Sequence, residues 1–276
     1  MPNTTTSVDV DELLRAVREL SRAARWETAG RLLAALSVAE PSARANVALT
    51  AAEVALEQDW FSGTDRAAER IAAAEEEVPH GSWQLGFLRL RHTYARLLLV
   101  DGTLRFGPAG KDPEALATLR RRARELRDSA PDGVRRGWAE MYLGLITDNH
   151  LAERTAARTH YEAALGAAEA APDDLLAREA LRHLGDHAHD TGDRTGALAH
   201  WRRATTLGAR AGTVPGTLSQ QLLLAVLARD ADEESAARYL ATEVAHWAEA
   251  TGAPRLAAQA TAFLAGADPT APSPGN

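Results

Sequence analysis

Apolar residues recur along the chain at spacings of three and four, within long stretches of alanine, leucine, glutamate and arginine in which β-branched and aromatic residues are sparse. An amphipathic helix shows that period to its core, so the pattern predicts helices throughout and no strand. Prolines at 41, 79, 131, 172, 215 and 254 fall between the helical stretches, at intervals of 38, 52, 41, 43 and 39 residues. Punctuation at a period of about 40 predicts stacked units. Within a period a polar or glycine-containing turn divides the helix in two: WETAG at 26–30, DWFSGTD at 59–65, DNHLAER at 148–154, DTGDRTG at 190–196 and RDADEES at 229–235. Each unit therefore reads as an antiparallel helical hairpin.

The clearest unit spans HLGDHAHDTGDRTGALAHW, 183–201. Leu181, Leu184, Gly185 and Ala188 share one helical face, Gly192 and Asp193 make the turn, and Ala197, Trp201 and Ala204 continue a second helix at spacings of four and three. Gly185 and Ala197 are small where two helices must approach closely, and Trp201 has the bulk to fill the space between hairpins. This pattern resembles the tetratricopeptide repeat. It recurs as Leu143, Gly144, Ala157, Tyr161 and Ala164, and in degenerate form as Ala29, Leu33 and Pro41 and as Ala67, Ile71, Ala74 and Pro79. Units of this length are most similar to the longer arrays attached to bacterial transcriptional regulators. The resemblance implies an all-α, right-handed solenoid of about six antiparallel hairpins, whose concave face binds a peptide or protein; it does not imply catalysis.

The solenoid is expected over 9–266, closed by a capping helix at 254–266 that shields the last hairpin. VDGTLRFGPAGKDPE is too rich in glycine and proline for helix, so a loop at 101–112 is expected to project. Residues 1–8 and the tail 267–276 read as disordered.

Composition narrows the function. The net charge is −7 and the pI about 5.7, which gives no basic excess for nucleic acid or an anionic membrane. There is no cysteine, which excludes disulfides, thiolate nucleophiles and sulfur-based zinc sites, and suits a cytoplasmic protein. The N-terminus shows no signal-peptide pattern, and no apolar run is long enough to span a bilayer. Lysine occurs once, at Lys111, and arginine elsewhere, a bias expected of a bacterial source with GC-rich coding.

Candidate chemistry follows from the helical wheel. With Leu181, Leu184, Gly185 and Ala188 turned to the partner helix, Glu179, His183, Asp186, His187 and Asp190 fall on the opposite face, which lines the concave groove in a tetratricopeptide-like array. His183 and His187 at i and i+4, with Asp190 as an oxygen ligand, are weak candidates for a divalent metal. No cofactor is otherwise expected. The wheel carried to the preceding unit places Trp138, Tyr142, Leu145 and Ile146 in the groove, and carried to the following unit Leu223 and Val226. In the third unit Arg89, His92 and Arg96 form a cationic stripe. A groove running from basic through aromatic to acidic would suit an extended peptide.

Two further features read as surface. RRRARELR at 120–127 is interrupted by acid and lacks aromatic interleaving, so it reads as a solvated helix face. GPAGKD at 107–112 has glycine and lysine but not the spacing, hydroxyl or preceding strand of a phosphate loop, which leaves Lys111 as an exposed loop charge. The sequence thus reads as a regulatory module that binds a protein or peptide, or a small-molecule ligand, with neither nucleic acid nor membrane as partner. A second reading is a helical-repeat enzyme, metal-dependent and of natural-product type, with its active site near His183 and His187. A third is a homodimer in which the apolar helices at 138–146 and 217–228 cover one another.

Overall fold

The computed structural model describes residues 9–100 and 103–270. The expectations for 1–8, for 271–276 and for the first two loop residues lie outside the described residues. The described residues form six hairpins and a closing helix: α1 (Val10–Arg22) with α2 (Trp26–Ala34), α3 (Pro41–Ser62) with α4 (Ala67–Glu77), α5 (Trp83–Leu98) with α6 (Pro113–Asp128), α7 (Gly133–Asn149) with α8 (Arg154–Ala170), α9 (Asp174–Asp190) with α10 (Arg194–Arg210), α11 (Val214–Asp230) with α12 (Glu234–Ala250), then α13 (Pro254–Leu264). None of these helices is long and apolar enough to cross a membrane.

From α8 onward helices begin at 154, 174, 194, 214, 234 and 254, so hairpins repeat every 40 residues. Two residues before five of those starts one residue is left-handed: Ala152, Gly192, Gly212, Asp232 and Gly252, with φ from 56° to 79°. A single left-handed residue ends one helix and reverses the chain at once. Proline cannot take positive φ, and at the equivalent Pro172 the next helix is instead started by Asp173, whose carboxylate accepts from the Leu176 amide at 2.9 Å. The first turn falls at 23–25, ahead of the expected WETAG. Trp26, buried and stacked on Phe61 at 6.3 Å, opens α2 instead of lying in a turn.

Three second helices carry a buried small–large–small triplet facing their partners: Ala67, Ile71 and Ala74; Ala157, Tyr161 and Ala164; Ala197, Trp201 and Ala204; α12 buries Ala237, Ala241 and Val244 at the same positions. Glycine on the first helix makes room for the large residue. A Cβ on Gly144 would lie 2.5 Å from the Tyr161 ring, and one on Gly185 would enter the Trp201 indole. Burial of such a side chain stabilises by roughly 1.5–3 kcal/mol, which makes each hairpin interface a principal source of stability.

Three expectations change. A strand does occur: Leu99–Val100 pairs antiparallel with Thr103–Leu104, because the chain leaving α5 doubles back on itself. The following loop is mostly exposed but tethered to the end of α7, where the Gly107 amide donates to the Asn149 carbonyl at 2.9 Å. Finally, the apolar surround of α11 is covered within the chain. Leu223 and Leu227 pack with Ala188 and Trp201 behind it, and Leu218, Leu222 and Val226 pack with α12 and α13 ahead, so this helix needs no second copy. Met141, Leu143 and Ile146 of α7 are likewise buried.

The array also closes on itself. Arg255 of α13 donates to the Asp59 and Trp60 carbonyls of α3, each at 2.9 Å, and Ser62 donates to the Gly252 carbonyl at 3.0 Å. Arg22 of α1 reaches the Ala211 carbonyl at 3.3 Å. Phe61 packs on both the first and the last hydrophobic clusters. The closing helix is thus a clasp to the beginning of the array as well as a lid on its end.

Candidate functional site

Closure turns the first helices of the hairpins toward a common channel. On α1, Arg18 donates from Nε to Glu53 at 2.8 Å and from its terminal nitrogen to Thr50 Oγ1 at 2.8 Å, and Ser21 donates to Glu57 at 2.7 Å. Glu57 of α3 then lies within the field of Arg91 on α5, Arg178 on α9 and Arg22 on α1. Residues 57 and 178, three hairpins apart, can sense each other only across a tightly wound interior. Arg91 lies close to Tyr142 of α7 and holds its phenol in a positive field, Tyr142 in turn faces the charge of Glu179 on α9, and Arg178 pairs with Glu179. Arg182, one turn on, lies 3.5 Å from Asp186. One polar network therefore runs through α1, α3, α5, α7 and α9.

Its charges are held by each other rather than by bulk water. Burial raises the Glu57 carboxyl above its usual range, and the Ser21 hydroxyl and three arginines only partly offset it. Burial would lower Arg91, but Tyr142, Glu53 and Glu57 outweigh it and the guanidinium stays charged. For Asp186 burial is likewise outweighed, by Arg182 and His183, and its pKa falls to about 2. On α11, Arg178 lies over Gly216, and Gln220 is one turn further along that face. Arg178 Nε and both amide atoms of Gln220 are buried with no protein partner among the described residues. Buried polar groups normally have partners, so these are points where a ligand could bind.

Of the residues expected in the groove, Tyr142, Glu179 and Asp186 belong to this network. Trp138 is half-buried at its margin, its ring tilted 60° to that of Phe87 and its Nε1 donating to Asp173 at 3.4 Å, and Leu145 is half-buried between the clusters of α5 and α9. The others lie at its edge or elsewhere. His183 stacks on Tyr161 with ring centroids 4.9 Å apart while its Nδ1 lies 3.2 Å from Asp186, so it borders the network, and His187 Nε2 lies 3.3 Å from Asp148; both are buried against the preceding hairpin. Asp190 pairs with Arg154 at the rim, and among the described residues no three histidine or acidic side chains are arranged to hold a metal. Ile146, Leu223 and Val226 are core. Arg89 pairs with Glu75 of α4 at 2.7 Å, while His92 and Arg96 lie toward Asp59 and Asp65 at the α3–α4 corner.

One cause accounts for these displacements. A first helix in the middle of the stack touches its partner and also both neighbouring hairpins, so the arc opposite the partner is split, and half of it is buried against the preceding unit. The channel arc lies about one residue away, roughly 100° on the wheel, and centres on Arg91 and Arg182. The missed signal was pairwise: Arg18 and Arg22, Glu53 and Glu57, and Arg178 and Arg182 are each spaced by four on the inward helices α1, α3 and α9.

No protein-family model matches the chain, and no curated protein matches it in sequence. Among solved structures it is similar to a Rap protein complexed with competence and sporulation factor, with a TM-score of 0.62 and 10% identity over 92% of this chain and 69% of that one. The fold is a tetratricopeptide-like solenoid. At that identity the likeness shows the fold alone.

Proposed function

We propose that the protein is a regulatory binding module whose channel receives an extended peptide or protein segment. The observation that supports this reading is the set of polar side chains that five inward helices bring together, arginines and carboxylates on α1, α3, α5 and α9 with Tyr142 on α7 among them. An extended backbone offers alternating donors and acceptors to such a wall, and a terminal or side-chain carboxylate would add a charge-assisted bond to Arg91 or Arg182. Supporting the reading, the similar Rap structure was solved in complex with a factor. We assign the module to the cytoplasm.

Affinity selection of a random library of short peptides, read by mass spectrometry, tests this. Wild-type protein is expected to enrich a defined set that the folded double variant Arg91→Gln, Arg182→Gln loses by about tenfold or more, as removal of charge-assisted bonds requires. Enrichment of nothing, or of the same set by both proteins, would overturn the proposal.

A further inference from the structure

Away from the channel, the loop after β2, the flank of α6 and the α7–α8 turn enclose a cavity of about 360 Å³. That is at the lower end of the roughly 300–1,000 Å³ typical of small-molecule pockets. Its cations are Lys111, Arg120 and Arg124, its apolar walls include Pro108, Leu116 and Leu151, and no carboxylate lines it among the described residues.

Lys111 is not the free surface charge its sequence suggests. Nζ donates to the Arg105 carbonyl at 2.7 Å and lies 2.9 Å from Nδ1 of His150, which is fully buried. The other ring nitrogen of His150, Nε2, lies 3.2 Å from the Tyr94 carbonyl. A carbonyl only accepts, so Nε2 carries the ring proton and Nδ1 accepts from Lys111. Two of the three ammonium N–H groups are thereby used and one remains. Elsewhere half-buried arginines sit on carboxylates, as Arg18 does on Glu53, Arg154 on Asp148 and Arg182 on Asp186. Lys111 has only neutral partners and two guanidiniums nearby. Arg120 is already paired with Glu153 at 3.1 Å, which leaves Arg124 as the second open cation.

We propose that this cavity binds a small organic oxyanion, its phosphate or carboxylate head between Lys111 and Arg124 and its apolar body against Leu116 and Leu151. Burial alone lowers the Lys111 pKa to about 8, a cost that a bound anion would remove. No phosphate-loop geometry is involved, since the head is met by side chains from two separate segments, the loop and α6.

Because lysine occurs once, ¹³C labelling at lysine Cε gives one NMR signal in the unmodified protein. It would be titrated with phenyl phosphate, benzoate and inorganic phosphate. Saturable shifts with phenyl phosphate or benzoate are expected, together with a rise of about one pH unit in the Lys111 midpoint, equivalent to tenfold tighter binding to the ammonium form. The tighter of the two identifies the head group. Arg124→Gln should weaken binding by about tenfold, and the outward-facing Arg121→Gln should leave it unchanged. No saturable shift with either aromatic anion, or equal responses to inorganic phosphate and to both variants, would overturn the proposal.

Discussion

Gly185 on α9 lies directly against the indole of Trp201 on α10, whose nitrogen donates to the Arg182 carbonyl at 2.9 Å. Trp201 is fully buried and anchored, so it cannot retreat from an added methyl group. Gly185→Ala is therefore expected to lower stability by about 1–3 kcal/mol through overpacking, read as a lower urea midpoint with an unchanged slope. Gly166→Ala on α8, where a Cβ meets nothing within 4 Å, should instead raise stability by about 0.5–1 kcal/mol. Equal effects at the two sites would refute the close-contact account.

The turns make a second prediction. Ala152 and Asp232 hold the left-handed position that Gly192, Gly212 and Gly252 fill without strain. Replacing either by glycine should stabilise by about 0.5–1 kcal/mol, the roughly 1–2 kcal/mol cost of a left-handed side chain less the entropy glycine loses. Thermal melts should show the larger gain for Ala152→Gly, since aspartate tolerates this conformation better than alanine.

Acid should loosen the fold at His150. Burial, then the charge of Lys111, pull its pKa from 6.5 down to about 4. Between those values the unfolded chain binds a proton that the folded chain refuses, so stability rises with pH across the window. It is complete above pH 6.5 and falls as pH drops toward 4, by up to about 3 kcal/mol. Urea midpoints measured near neutral pH and near pH 5 should converge in His150→Asn and differ in the wild type.

Arg255→Ala removes two charge-assisted bonds to α3. A stability loss of about 1.5–3 kcal/mol is expected, together with a larger radius of gyration by small-angle scattering. An unchanged radius would mean that Phe61 and the Ser62 and Arg22 bonds hold the two ends together without it.

Hairpin number, the 40-residue period and the closing helix were legible because small and large residues must alternate where helices meet, as Ala157, Tyr161 and Ala164 do. Orientation was less legible. A wheel for one helix locates the partner helix, but His183 faces the preceding hairpin and Arg182 the channel, and only the stacking of a third helix separates those arcs. Lys111 was misread for a related reason: its burial depends on His150, which is remote in sequence and brought near by the return of the loop. The closure by Arg255 left no local pattern, since backbone carbonyls on α3 accept its bonds and any residue supplies those.

An open repeat array unravels as a line of neighbours, each unit answering only to the next. Here Phe61 and Arg255 join the ends of that line, so loss of the last helix would also be felt by the first, and a truncation at either terminus would weaken both. Unfolding should proceed as one ring breaking, with no stable partial stacks on the way.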